Sequence, residues 1–161
     1  MLKNEKGITM AMLIVTVIVM AVLASIAMTA GNNLRKKTEL ADRITQMQLI
    51  QAKVEDSYNE HLYKGSALLG KEMTFEAVGD EIEAGEKWYK LEAKDMEKMG
   101  IDFVPTSELY YCVKYDLTQE EEAEGVDKAD NEDINIYYSG GYESTSGKTY
   151  YTLNKLKDLE S

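Results

Sequence analysis

The sequence predicts an α+β fold in which one long N-terminal helix packs on an antiparallel sheet of about four strands. Three observations lead there. Residues Ile8 to Ala30 form a run of 23 residues without a charge. Apolar side chains then recur every three or four positions from Leu34 to Leu62. Past Gly65, short alternating runs rich in Tyr, Val and Ile are separated by glycines and polar residues, the pattern of strands and turns.

The first run reaches about 34 Å as a helix, enough to cross a bilayer core of roughly 30 Å. A secretory signal peptide has a shorter apolar region, about 7–15 residues, and ends on a small-residue cleavage site. Thr29-Ala30-Gly31 imitates such a site, but the run is too long and continues into a second helical pattern. Ala21, Ser25 and Thr29 are spaced i, i+4, i+8, which puts small side chains on one helix face where another helix can approach closely; chance in an alanine-rich segment explains the spacing equally well. Gly31-Asn32-Asn33 is the first lapse in helix propensity and leaves room for a bend or local unwinding, with no proline to force one, inside what is expected to be one helix.

From Leu34 the pattern resumes. Leu40, Ile44, Met47, Val54, Tyr58 and His61 or Leu62 form an apolar stripe, with Gln51 filling its gap. Arg35, Lys36, Asp42, Arg43, Lys53, Glu55 and Asp56 are assigned to the opposite face. The helix is expected to end at Lys64-Gly65, a basic last turn followed by the residue that accepts positive φ most cheaply.

Ser66 to Glu86 reads as a connecting region, with short helical turns around Met73 to Val78. Trp88 to Leu91 is a first strand, and Asp95 to Met99 a short helix closed by Gly100. Pro105 marks a loop before Leu109 to Asp116, the strongest strand pattern, with Leu109, Tyr111, Val113 and Tyr115 on one face and Tyr110, Cys112 and Lys114 on the other. Thr118 and Glu121 fit a capping box for a helix stopped by Gly125. Asp127, Asp130, Asn131, Glu132 and Asp133 follow; they lack the spacing of a calcium loop and read as a solvated acidic segment. Ile134, Ile136 and Tyr138 share a face of a further strand, and Thr149 to Leu153 forms the last. Ser139-Gly140-Gly141 and Ser144 to Gly147 supply turns between them. The tyrosine pairs 110/111, 137/138 and 150/151 fit strands in which one ring packs and its neighbour faces water, in preference to a carbohydrate-binding platform.

Composition narrows the function. The net charge is −11 over 161 residues, distributed unevenly: residues 44–161 carry 12 Lys and Arg against 26 Asp and Glu, and residues 1–43 carry 6 against 3. The acidic distal part disfavours direct binding of nucleic acid or anionic lipid. Basic residues lie on both sides of the apolar run, Lys3 and Lys6 before it and Arg35, Lys36, Lys37 and Arg43 after it, so charge alone does not orient the chain in a membrane. Cys112 stands alone and reads as a small apolar strand residue. No G-x-S-x-G, phosphate loop, H-E-x-x-H or paired Cys or His at ligand spacing occurs, so no catalytic residue, metal ligand or cofactor is assigned and an enzyme is not expected. His61, near the end of the helical stripe, is read as a packing or surface residue.

The head of the chain carries a more specific signal. Lys6-Gly7-Ile8-Thr9-Met10-Ala11-Met12-Leu13 resembles the class III signal of type IV pilins and type II secretion pseudopilins. In that family a prepilin peptidase cuts after a glycine that follows a short basic leader. The matching positions are Gly7 before the cut, Ile8 as the first mature residue and Thr9 as the second, with the apolar helix starting at once. The resemblance implies a pilin-like fold, N-methylation of the new amine, and four segments: a leader 1–7, a transmembrane or filament-core half-helix 8–30, an amphipathic half-helix 31–65 and a small globular domain 66–161. It implies prepilin peptidase, other pilin or pseudopilin subunits and, before assembly, membrane lipid as partners. Localisation would be the cytoplasmic membrane of a bacterium in a single pass, then an extracellular or cell-wall-spanning filament. The absence of an internal disulfide resembles pilins of Gram-positive bacteria.

One position departs from the family. Its usual fifth mature residue is Glu, whose carboxylate meets the N-terminal amine of a neighbouring subunit; Met12 stands there in this chain. That departure resembles subunits at a filament tip and implies a minor or initiating role. Thr9, Met12, Ala21, Ser25 and Thr29 are the resulting filament-contact candidates. Adhesion and motility, DNA uptake and protein secretion are all processes such filaments serve. The alternative reading is a permanent single-pass membrane protein with a soluble sensor or scaffold domain.

Overall fold

The structure, a computed structural model, describes residues 2–103, 108–115 and 134–161, with side chains from residue 10 onward except at position 11. The expected capping box at Thr118 and Glu121, the acidic segment 127–133 and Pro105 lie outside the described residues.

Helix α1 runs from Leu2 to Lys64 without interruption. The local unwinding anticipated at Gly31 to Asn33 does not occur. Each of these residues costs a few tenths of a kcal/mol to about 1 kcal/mol in a helix, and without a proline none removes a backbone hydrogen bond or creates a clash. The helix ends as expected: Gly65 adopts φ 69° and its N–H bonds the carbonyl of His61 at 2.8 Å.

The chain forms two compact units, one up to Glu39 and the other Leu40–Ser161. The second contains the sheet, whose strands are β1 (Lys71–Thr74), β2 (Lys87–Lys90), β3 (Tyr111–Lys114), β4 (Asn135–Glu143) and β5 (Thr149–Thr152). They pair in sequence order, each antiparallel to the next. Helix α2 (Ala93–Lys98) lies between β2 and β3, and α3 (Leu153–Glu160) follows β5. The α+β architecture of a long helix packed on an antiparallel sheet is therefore present, with five strands among the described residues.

Within this unit α1 buries Leu40, Ile44, Met47, Ile50, Val54 and Tyr58 in one cluster with Tyr111, Val113, Tyr115, Ile134, Ile136 and Tyr138 from β3, β4 and their ends. Fully burying one large apolar side chain is worth about 1.5–3 kcal/mol, so this stripe rivals the roughly 5–15 kcal/mol net stability of a domain. Ile50 fills the gap that the sequence pattern assigned to Gln51. Gln51, half-buried beside it, donates from Nε2 to the carbonyl of Ile134 at 2.6 Å. Arg43 also departs from its expected outward position: its guanidinium lies 4.0 Å from the Tyr138 ring centroid and donates to the Tyr111 hydroxyl at 3.3 Å. Its long stem and planar head let it lie flat on an aromatic surface.

The opposite face of the sheet is covered, where the tyrosine pattern implied water. Phe75, Ile82, Trp88, Cys112 and Tyr137 form a second buried cluster, flanked by Met73, Val78, Tyr110 and Tyr151. Neighbouring tyrosines on one strand thus enter two apolar layers: Tyr111 and Tyr138 meet α1, and Tyr110 and Tyr137 meet the segment between β1 and β2. That segment is neither a loose connection nor helical around Met73 to Val78. Its first residues form β1, and Phe75 N–H bonds Glu86 O while Gly85 N–H bonds Phe75 O.

Carboxylates pin the segment. Glu81 accepts the backbone N–H groups of Tyr151 and Thr152, the latter at 2.8 Å, and the Thr152 hydroxyl at 2.8 Å. Asp80 meets Lys148 and Lys155. Glu86 takes Lys114 Nζ at 2.6 Å, the Trp88 indole N–H at 3.2 Å and the Glu83 N–H at 2.8 Å. Burial pushes the Glu86 carboxyl up, but these donors outweigh it and hold the group below the usual glutamate value.

Two boundaries at the C-terminal end differ from expectation. Ser139-Gly140-Gly141 is no turn but an irregularity inside β4, where the register shifts against β5. A Cβ at Gly140 would lie 2.5 Å from the Tyr138 ring, and Gly141 has φ 62°, so the strand can bulge here only with glycines. The reversal falls at Ser144 to Gly147 alone. Leu153, expected in the last strand, instead begins α3 and is fully buried with Leu156.

Candidate functional site

The N-terminal half of α1 carries all the residues singled out for processing and filament contact. Gly7 and Ile8 both have helical backbone; the side chains of Ile8 and Thr9 lie outside the described residues. From Met12 to Leu34 every side chain is exposed. This helix contains a stretch long and apolar enough to span a membrane, and none of that stretch is buried within the chain. Such a surface is unstable in water and fits a lipid or an equally apolar protein environment.

Two threonine hydroxyls in the stretch are satisfied internally. The Thr16 hydroxyl donates to the Met12 carbonyl at 2.8 Å, and the Thr29 hydroxyl to the Ser25 carbonyl at 2.9 Å. A hydroxyl bonded back to the preceding turn can enter lipid without an unpaired donor. The continuous helix keeps Ala21, Ser25 and Thr29 on one side, one turn apart. Met12 lies nine residues before Ala21, about half a turn round the axis, so the structure does not gather Met12 and the small-residue stripe onto one face. Met12 is 69% exposed.

Among its described residues the globular unit presents no reactive constellation. Cys112 is fully buried, 3.6 Å from the Met73 sulfur, and burial pushes its thiol up to about 12, so it is a protonated apolar side chain at neutral pH. His61 is half-buried, its ring stacked on Tyr58 and its Nδ1 in contact with the Ser66 carbonyl oxygen. Among the described residues no group of three or more His, Cys, Asp or Glu is placed to hold a metal ion. Asp95 is buried, but its carboxylate accepts the Glu92 N–H at 2.9 Å and so caps α2. The tyrosines of the back face pack together: Tyr137 is buried, with half-buried Tyr151 stacked on it at 5.8 Å and Phe75 edge-on at 4.8 Å.

Arg43, Ile50 and Glu81 were not identified from the sequence as residues joining helix, sheet and loop. Ile50 was within reach, lying three residues after Met47 and four before Val54. Glu81 was not, since its partners lie about 70 residues away in the chain.

Comparison of the chain with family models, with curated proteins and with solved structures finds no match.

Proposed function

We propose that this chain is a structural subunit, minor or initiating, of a type IV pilus-like or pseudopilus filament, released for assembly by prepilin peptidase cleavage between Gly7 and Ile8. One observation carries the reading: the apolar run that follows Gly7 and the stripe that packs on the sheet belong to one uninterrupted helix. A helix of this kind serves two environments with one surface. Lipid tails are as apolar as leucine, so its exposed half can leave the membrane for a bundle of like helices at little cost, driven by close packing. Ala21, Ser25 and Thr29 offer the close approach, and the bonded Thr29 hydroxyl brings no unpaired donor.

In this account the protein first resides in the cytoplasmic membrane and then in a filament outside the cell or across its wall. Its partners are the peptidase, lipid and other pilin-like subunits, and its role involves no catalysis. Met12 supports the minor or initiating position, because it presents no carboxylate to a neighbouring amine. Gly7→Val tests processing: the bulk of Val at the cut should leave the precursor whole in the membrane, with insertion unchanged. A Gly7→Val chain that still acquires Ile8 as its first residue would overturn the proposal.

A further inference from the structure

We infer that Arg35 and Lys37 form a headgroup collar on α1 that binds the phosphodiesters of anionic phospholipid when Ile8 to Ala30 spans the bilayer. Both side chains are exposed, and the helix that carries them is continuous with the apolar run. Arg35 follows Ala30 by five residues and Lys37 by seven, which places their Cα atoms about 7–11 Å beyond the end of the run. The polar layer on each side of a bilayer core is about 5–8 Å deep, and long basic side chains reach back toward it along the helix. Their separation of two residues turns them about 160° apart, so together they reach lipid on both sides of the helix. Asn32 and Asn33, exposed between the apolar run and the collar, suit the same layer.

Charge sets the kind of lipid. Residues 31–43 hold Arg35, Lys36, Lys37 and Arg43 against Glu39 and Asp42 while residues 44–161 are strongly acidic, so an anionic membrane attracts this short band and repels the remainder. The collar therefore gives the helix a defined depth, and its contacts must be released when the helix leaves the membrane. The inference rests on membrane residence of the apolar run and holds whether or not the chain enters a filament.

The test uses the full chain in mild detergent, with native mass spectrometry counting bound phosphatidylglycerol and phosphatidylcholine, and inorganic phosphate as a third ligand. The wild type should retain phosphatidylglycerol in preference to phosphatidylcholine and should not hold free phosphate. Arg35→Gln/Lys37→Gln should weaken that preference by about fivefold for each charge removed. Lys53→Gln/Lys98→Gln, which removes two exposed charges elsewhere, should leave it unchanged. Equal retention of the two lipids by the wild type, retention of free phosphate in place of lipid, or an undiminished preference in Arg35→Gln/Lys37→Gln would overturn the inference.

Discussion

Ile50→Ala and Leu49→Ala, compared in a soluble chain that begins at Leu34, test the packing of α1 on the sheet at one-residue precision. The two aliphatic side chains are adjacent, yet Ile50 is 0% exposed and Leu49 is 44% exposed. Ile50 belongs to the cluster with Val113, Ile134 and Ile136, where truncation removes buried methyl groups and leaves a cavity between a helix and a sheet. Such changes cost about 2–5 kcal/mol. At roughly 3–5 °C per kcal/mol for a domain of this size, the melting temperature should fall by about 6–25 °C. Leu49→Ala touches none of that cluster and should stay within about 0.5 kcal/mol. Urea denaturation followed by the Trp88 fluorescence reads both, because Trp88 lies buried on the far face of the same sheet. If Leu49→Ala costs as much as Ile50→Ala, the helix does not meet the sheet in this register.

Two further outcomes follow from charges in the chain. The Glu86 carboxyl sits below its ordinary value of 4.5, so its pairing contributes stability that is complete above that pH and is lost as pH falls through the depressed folded-state value; denaturation midpoints should fall more steeply in this acid range for the wild type than for Glu86→Gln, and parallel curves would refute the pairing. Met12→Glu should raise the amount of this chain along filaments, counted by immunogold labelling in the native host, since it supplies a carboxylate for a neighbouring buried amine whose unpaired charge costs several kcal/mol; dense labelling of the whole shaft by the wild type would refute a minor role.

The helix and four of the five described strands were legible because their apolar and aromatic periodicity is strong. Leu109, Tyr111, Val113 and Tyr115 do face the α1 cluster, and Cys112 faces the other. What escaped is structure that depends on distant partners. The strand β1, Lys71-Glu72-Met73-Thr74, is an edge strand with three exposed side chains, so it carries no apolar alternation. The cover over the back face comes from Phe75, Val78 and Ile82, spaced too irregularly to announce an element. Gly140 and Gly141 have turn chemistry, and only the crowding of Tyr138, Thr149 and Tyr151 around them marks a bulge. Helix α3 buries just Leu153 and Leu156, too brief a signal after a strand. At the candidate site, the apolar surface was visible as a charge-free run and a single long helix was expected from it, although its unbroken passage through Gly31 to Asn33 opposed local propensity.

Passage of this helix from membrane into filament is tested most directly by the N-terminal sequence of the chain recovered from filaments sheared off native cells. The chain should be present in that fraction and begin at Ile8, with a methylated amine. Recovery solely from the membrane, with an N-terminus upstream of Gly7, would contradict it and favour a permanent single-pass protein.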